Sequence, residues 1–447
     1  MIDRVISFFR SGPDVAVIED ESTVRRIYER KRWSVLISLI IGYGFFYTCR
    51  LSLSVAKKPM LDDGILSAQQ MGIIGGMLFY VYAVGKFTNG FLADRANIGR
   101  FMSTALLCSA IANILFGSTT LFYGFLVLWA LNGWFQSIGS APSVVSLCQW
   151  FSHQERGSRY GIWAGAHNIG EGLTFIGTSV LVAHFGWRWG FWGPGMACVV
   201  MALIMFRTLA DRPRTYGLPH VADYKKDYSG GKPSGASIGK DQLRVLKNPI
   251  VLCLGLSSAM MYVARYGVHS WGILYLQETK SYTLEQAGSL IGFNTILGLA
   301  GAAFSGFFSD IFFKSRRNVP CLIYGLMLIG GLFMLHQTPP GNFWLDALSI
   351  GIFEFAIGGL IVFLAGLIAV DVMPKQAAGA VKGVIGLFSY IAAATQEWIS
   401  GMLIEDTKMV IDGVAHYSFD GAFKLWMGAS VLSLLFALPA WNVKPHE

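Results

Sequence analysis

The sequence predicts an all-α membrane protein of twelve transmembrane helices, arranged as two pseudo-symmetric six-helix bundles. Three observations carry that expectation. The 447-residue chain is 53% hydrophobic and only 14% charged, against roughly 25% charged in soluble domains. Its apolar residues gather into runs near the ~20 residues needed to cross a hydrocarbon core. Two local patterns also recur at almost one offset along the chain, the mark of an internal repeat. The 52 glycines fit close helix approach in lipid. A water-soluble globule is excluded.

The runs fall at 34–56, 69–92, 101–119, 121–147, 160–184, 187–208, 248–277, 284–308, 319–336, 343–371, 378–404 and 420–442. They divide the chain into an N-terminal segment (1–33), a first bundle (34–208), a linker (209–247), a second bundle (248–442) and a short tail (443–447). The linker contains Ser229-Gly230-Gly231-Lys232-Pro233-Ser234-Gly235, a flexible composition. Of the 35 Lys and Arg residues, five (Lys57, Lys58, Arg188, Lys280, Lys408) fall on the side opposite the N-terminus and five inside the runs away from their ends. The remainder lie on the N-terminal side, so both termini are expected in the cytoplasm; a bacterial cytoplasmic (inner) membrane is the default location, with an organelle inner membrane as the alternative. The net charge of +8 therefore reports topology in a lipid bilayer, not nucleic-acid binding. Met1–Arg32 lacks the short apolar core and cleavage site of a signal peptide. The six cysteines form no CxxC pair, so neither a disulfide framework nor a metal site is indicated.

Tyr47-Thr48-Cys49-Arg50 in the first run returns as Tyr262-Val263-Ala264-Arg265 in the seventh. Gly90-Phe91-Leu92-Ala93-Asp94 returns as Gly306-Phe307-Phe308-Ser309-Asp310. Two parallel repeats rocking about a midplane site make a transporter architecture. Asp94, Arg95 and Asp310 are expected to gate its cytoplasmic side, each carboxylate bonding backbone N–H groups at a neighbouring helix N-terminus.

Ionisable residues at membrane depth face a cavity or a partner. Five basic ones stand inside the runs away from their ends: Arg50, Lys86, Arg265, Lys382 and Lys424. Arg50 and Arg265 occupy equivalent depths and have no obvious acidic partner, so a bound dianion such as phosphate is the simplest relief. The alternative is that each pairs with a carboxylate such as Glu354. Tyr43, Tyr47 and Arg50 share one helix face, and Tyr262, Arg265, Tyr266 and His269 share its counterpart. These tyrosines are candidates for ligand contact or for plain packing. Lys86 shares a face with Tyr82 and Asn89, and reads either as a third anion contact or as a lysine snorkelling to the interface. In the fifth run Trp163, His167 and Glu171 recur every fourth residue, with Asn168 beside them. Lys382 and Tyr390 share a face, with Glu397 seven residues further on; Lys382 fits an interfacial role as well as a ligand contact.

The chain resembles the organophosphate:phosphate antiporters of the major facilitator superfamily. The resemblance rests on Gly42-Tyr43 through Arg50, Lys86-Phe87, Asp94-Arg95-Ala96-Asn97, Phe135-Gln136, Glu155-Arg156-Gly157 and Ala166-His167-Asn168. It continues through Gly217-Leu218-Pro219, Arg265-Tyr266-Gly267, Pro374-Lys375, Ala377-Ala378-Gly379 and Gly386-Leu387-Phe388-Ser389-Tyr390. It implies the major facilitator fold and exchange of a hexose phosphate, such as glucose 6-phosphate, or of glycerol 3-phosphate for inorganic phosphate. It also implies phosphate binding at Arg50 and Arg265, with Lys86, His167, Tyr43, Tyr47, Tyr82 and Tyr390 lining the pathway. Some relatives of this kind are membrane sensors of sugar phosphate. The chain departs from the family at Leu51, Ala164, Glu171, Ser270 and Thr295, which implies a reworked pocket for the organic moiety.

The resulting expectation is an exchanger, functional as a monomer, with no cofactor. At ~7 Å and an effective dielectric near 20, two bare arginines repel by about 2 kcal/mol. Bound phosphate reverses the sign, so that loaded carriers reorient and empty ones do not. A proton-coupled carrier using His167 and Glu171 is the rival scheme. No nucleophile–base constellation or phosphate-cradling loop speaks for an enzyme.

Overall fold

The structure is a computed structural model that describes residues 2–228, 245, 247–313, 317–368, 378–411 and 414–441. Ser229–Gly235 of the linker, Pro374-Lys375, Ala377 and the 443–447 tail lie outside the described residues. A short α1 (Ile2–Phe9) precedes α2 (Glu21–Asp62), α3 (Ala68–Ala93), α4 (Ile98–Ser118), α5 (Phe122–Gln136), α6 (Ala141–Trp150), α7 (His153–Phe185) and α8 (Trp189–Thr208). After the short α9 (Val221–Lys225), the second half holds α10 (Pro249–Lys280), α11 (Leu284–Phe313), α12 (Asn318–Gln337), α13 (Phe343–Val362), α14 (Ala378–Glu405) and α15 (Asp420–Ala437). Among the described residues, nine helices are long and apolar enough to cross a membrane. The others have identifiable reasons: α5 has only 15 residues, while α7 carries His167, Asn168 and Glu171, and α14 carries Gln396 and Glu397.

Several runs differ from expectation, three of them for a reason visible in the local structure. The first extends to Glu21–Asp62 instead of 34–56, because the Asp20 side chain caps it by accepting from the N–H groups of Ser22 and Thr23. Its far end passes through Pro59. The 121–147 run breaks into α5 and α6, with Pro142 in the first turn of α6, where a missing N–H costs nothing. The 343–371 run leaves α-geometry at Val362 for a π-turn over Phe363–Leu367.

The halves meet along two seams, α3 against α14 and α7 against α11. Both are tight on the side away from the N-terminus. A Cβ on Gly72 would lie 2.5 Å from the carbonyl oxygen of Glu397, and one on Gly172 2.7 Å from that of Gly292; only glycine permits such an approach. Toward the other side, Gly157 and Gly161 on α7 and Gly383 on α14 have nothing among the described residues within 4 Å of a Cβ position. The interior is thus sealed on the far side and approached from the side that carries the N-terminal segment. That segment is tied down on the first half. Phe9 accepts from the Asn97 N–H at 2.7 Å, and Asp14 pairs with Arg212 at 2.9 Å.

Candidate anion-binding site

Arg50 on α2 and Arg265 on α10 are each 4% exposed. Arg50 Nη2 donates to the Tyr266 hydroxyl at 3.0 Å. Its guanidinium carbon lies 4.4 Å from the Tyr82 ring centre, 5.3 Å from those of Tyr47 and Phe79 and 5.5 Å from that of Tyr390. Aromatic faces stabilise a desolvated guanidinium by about 2 kcal/mol, and they leave its hydrogen-bonding edge to other groups. Among the described residues Arg50 has no carboxylate partner, and its Nε–H is buried without a hydrogen bond.

Arg265 differs, and here the expectation is corrected. Its Nη2 meets Glu171 of α7 at 3.0 Å to Oε1 and 3.3 Å to Oε2. One of the two arginines therefore has a carboxylate of its own, and the repulsion between two bare guanidiniums is reduced accordingly. The carboxylate comes from the residue after Gly170, a departure from the family pattern. Among the described residues Glu354 on α13 pairs with neither arginine; it meets His269 Nε2 at 2.7 Å.

An aromatic wall joins these groups. Tyr43 stacks on Trp163 at 4.7 Å, Tyr47 lies 5.7 Å from His167, and Tyr390 contacts Tyr82 at 4.6 Å and Tyr262 at 5.6 Å. His167 bonds through Nδ1 to the Ala164 carbonyl of its own helix. Half-buried Lys86 places Nζ 5.0 Å from the centre of the Tyr390 ring. Lys382 is exposed and donates to the Tyr160 hydroxyl at 3.0 Å, a link between the halves near the mouth.

Other residues lie elsewhere. Asn168 sits on the α7–α11 seam, where its carbonyl accepts from Thr295 Oγ1 at 3.4 Å. Asp94 and Arg95 are exposed, and among the described residues the Asp94 carboxylate makes no hydrogen bond. Asn97 takes the expected capping role instead, its side chain accepting from the Arg100 N–H at 3.0 Å. Asp310 pairs with Arg317 at 2.6 Å within the second half.

The sequence of residues 39–395 matches the Major Facilitator Superfamily. The chain belongs to that superfamily. It is 31% identical to the membrane sensor protein UhpC of Salmonella typhimurium, with 99% of each chain covered. It is 30% identical to a probable hexose phosphate transport protein of Chlamydia muridarum, over 98% of this chain and 97% of that one. These likenesses place it in the organophosphate:phosphate antiporter family and set it among transport proteins, not enzymes. The fold is also that of a bacterial Spinster homologue in an inward-facing, unoccupied conformation. That match has a TM-score of 0.72 and 18% identity, covering 92% of this chain and 96% of that one.

This facilitator also buries two lysines that the sequence reading set outside the membrane, Lys57 and Lys280. Lys57 continues α2 and meets Glu397 of α14 at 3.3 Å, with Nζ 3.3 Å from the Trp271 ring centre. The Lys57-Lys58-Pro59 sequence looks like a helix end; the signal that identifies the pair is Glu397, a carboxylate inside an apolar run and in need of a cation. Arg50, Ser54, Lys57, Ser270 and Glu397 line a cavity of about 20 Å³, space for about one water. Lys280 bonds to the Thr338 carbonyl and lies 3.6 Å from Asp346.

Proposed function

We propose that this facilitator is a secondary transporter that binds an organophosphate between Arg50 and Arg265 and exchanges it for inorganic phosphate by alternating access. Glucose 6-phosphate, or another hexose 6-phosphate, is the organic substrate in this reading. Both termini lie in the cytoplasm, and the functional unit is the monomer.

The observation that supports the reading best is Arg50. It is a buried, permanent cation at membrane depth, packed between rings and free of any carboxylate among the described residues. Its repeat mate Arg265 stands on the facing half. A planar guanidinium grips phosphate through two parallel hydrogen bonds. The tyrosines around the pair supply flat faces and hydroxyl groups suited to a sugar. The named activity of the Chlamydia relative supports the hexose phosphate, and family resemblance keeps glycerol 3-phosphate as the rival. A sensing role is the second reading, supported by the full-length likeness to UhpC.

Radiolabelled phosphate uptake into proteoliposomes tests these readings. Vesicles are loaded with phosphate, glucose 6-phosphate, glycerol 3-phosphate or nothing. Uptake that requires an internal phosphate compound supports exchange, and its relative rates rank the substrates. Binding of glucose 6-phosphate without flux favours the sensor. Failure of every phosphate compound to bind or move overturns the anion site.

A further inference from the structure

The geometry points to His269 as a proton-binding site whose occupancy is coupled to phosphate at Arg265, with Glu171 as the moving part. This inference rests on the phosphate reading above and adds a coupled ion to it.

Glu171 stands between two partners. Its carboxylate holds Arg265 at 3.0 and 3.3 Å, and its Oε2 lies 3.7 Å from His269 Nδ1. That second distance is too long for a hydrogen bond. His269 is 1% exposed, and its Nδ1 is buried without a hydrogen-bond partner. Its Nε2 meets Glu354 at 2.7 Å, and Phe175 packs edge-on against the ring at 6.0 Å. An ionised carboxylate only accepts, so the Nε2 proton points at Glu354 and neutral His269 turns a bare lone pair toward Glu171. Two acceptors do not attract, which is why Glu171 stays on Arg265.

A phosphate group arriving at Arg265 competes for the same Nη2 donor. Glu171 then loses its cation, and among the described residues the other basic group within 4 Å of its carboxylate is His269. A proton from the open side, bound at His269 Nδ1, turns that nitrogen into a donor and gives the displaced carboxylate a partner. The imidazolium then lies between Glu171 and Glu354. No bond to carbon or phosphorus changes; one proton moves from water to Nδ1 as one phosphate group binds. Histidine is the side chain suited to such exchange near neutrality.

The charged and titratable surroundings act on this step from several helices. Glu171 and His167 come from α7, Glu354 from α13, Arg265 and Tyr266 from α10 itself, and Arg50 and Tyr47 from α2. The Lys57–Glu397 pair lies beyond Ser270. Displacing Glu171 removes the hydrogen-bonded carboxylate that balances Arg265, and the incoming dianion replaces it. Each phosphate group that loads the site therefore brings one proton with it, and over a full exchange cycle the protons carried in opposite directions cancel.

Calorimetric titration of the purified full-length protein tests the coupling, with glucose 6-phosphate as probe in two buffers of different ionisation enthalpy. At pH about 8 the ester is already a dianion, since its second pKa is near 6. The parent protein should take up about one proton per ester bound, read as a buffer-dependent heat. H269Q should bind with no buffer dependence. E171Q has nothing to displace, and should bind about tenfold tighter, the scale of one charge-assisted hydrogen bond, again with no proton uptake. A merely structural role for Glu171 predicts weaker binding instead. Buffer-independent heat in the parent protein, unchanged proton uptake in H269Q, or weaker binding by E171Q each overturns the coupling while leaving the phosphate site intact. Absence of any binding heat in the parent protein overturns the phosphate site itself, and the coupling with it.

Discussion

Lys57 on α2 and Glu397 on α14 form a 3.3 Å ion pair that joins the two halves on their sealed side, with side chains 2% and 1% exposed. Burying both charges costs several kcal/mol in desolvation, and leaving one without the other costs more. The pair is therefore a strong determinant of which side is closed.

Lys57→Ala or Glu397→Ala should each destabilise the protein by about 3–5 kcal/mol, whereas the double variant should lose far less than the sum. Thermal melting of the four proteins in detergent checks the coupling. Additive losses would show that the pair does not act as a unit.

At the same seam, Gly72 leaves no room for a side chain, since a Cβ would lie 2.5 Å from the Glu397 carbonyl oxygen. Gly72→Val should hold the far side apart, at a cost of about 1–3 kcal/mol, while leaving each half folded. Labelling of a cysteine introduced on the far side should rise and exchange should fall. Unaltered labelling would contradict the seam as the closure surface.

Tyr266 touches both arginines, by its hydroxyl at 3.0 Å from Arg50 Nη2 and by its ring 5.4 Å from the Arg265 guanidinium. Tyr266→Phe keeps the ring and releases Arg50. The KM for phosphate should rise about tenfold, the value of one hydrogen bond to a charged group. An unchanged KM would show that Arg50 is positioned by its ring contacts alone.

Outside the membrane, Arg32 pairs with Glu155 at 2.8 Å beside Lys225. Partial burial pushes the Glu155 carboxyl up, but the Arg32 hydrogen bond and the two cations push it further down, below the usual glutamate range. A lowered folded value stabilises the protein at neutral pH, and that stabilisation is lost as pH falls through it. The parent protein should melt above Glu155→Gln by the equivalent of about 1 kcal/mol at neutral pH. The difference should close in acid; one that persists there would place the effect in packing.

The bundle of apolar runs, the repeat and the paired arginines were legible because each is a local pattern: run length, spacing, or charge where charge is rare. What escaped the sequence lies between elements. Lys57 looked like a loop residue because Lys-Lys-Pro resembles a helix end, and only the packing of α2 against α14 shows it buried. Glu171 and His269 sit 98 positions apart, and their meeting depends on the α7–α10 approach, which no periodicity encodes. Among the described residues Asp94 makes no capping bond to α4; Asn97, equally placed, makes it instead.

In the proposed site Arg50 and Arg265 together hold a phosphate group. The most direct test is phosphate counterflow in proteoliposomes with Arg50→Lys and Arg265→Lys, which keep the charge but lose the planar fork. Each variant should fold, insert and lose counterflow by at least about tenfold, in line with one bidentate contact. Counterflow retained at the parent rate in either variant would contradict the shared phosphate site.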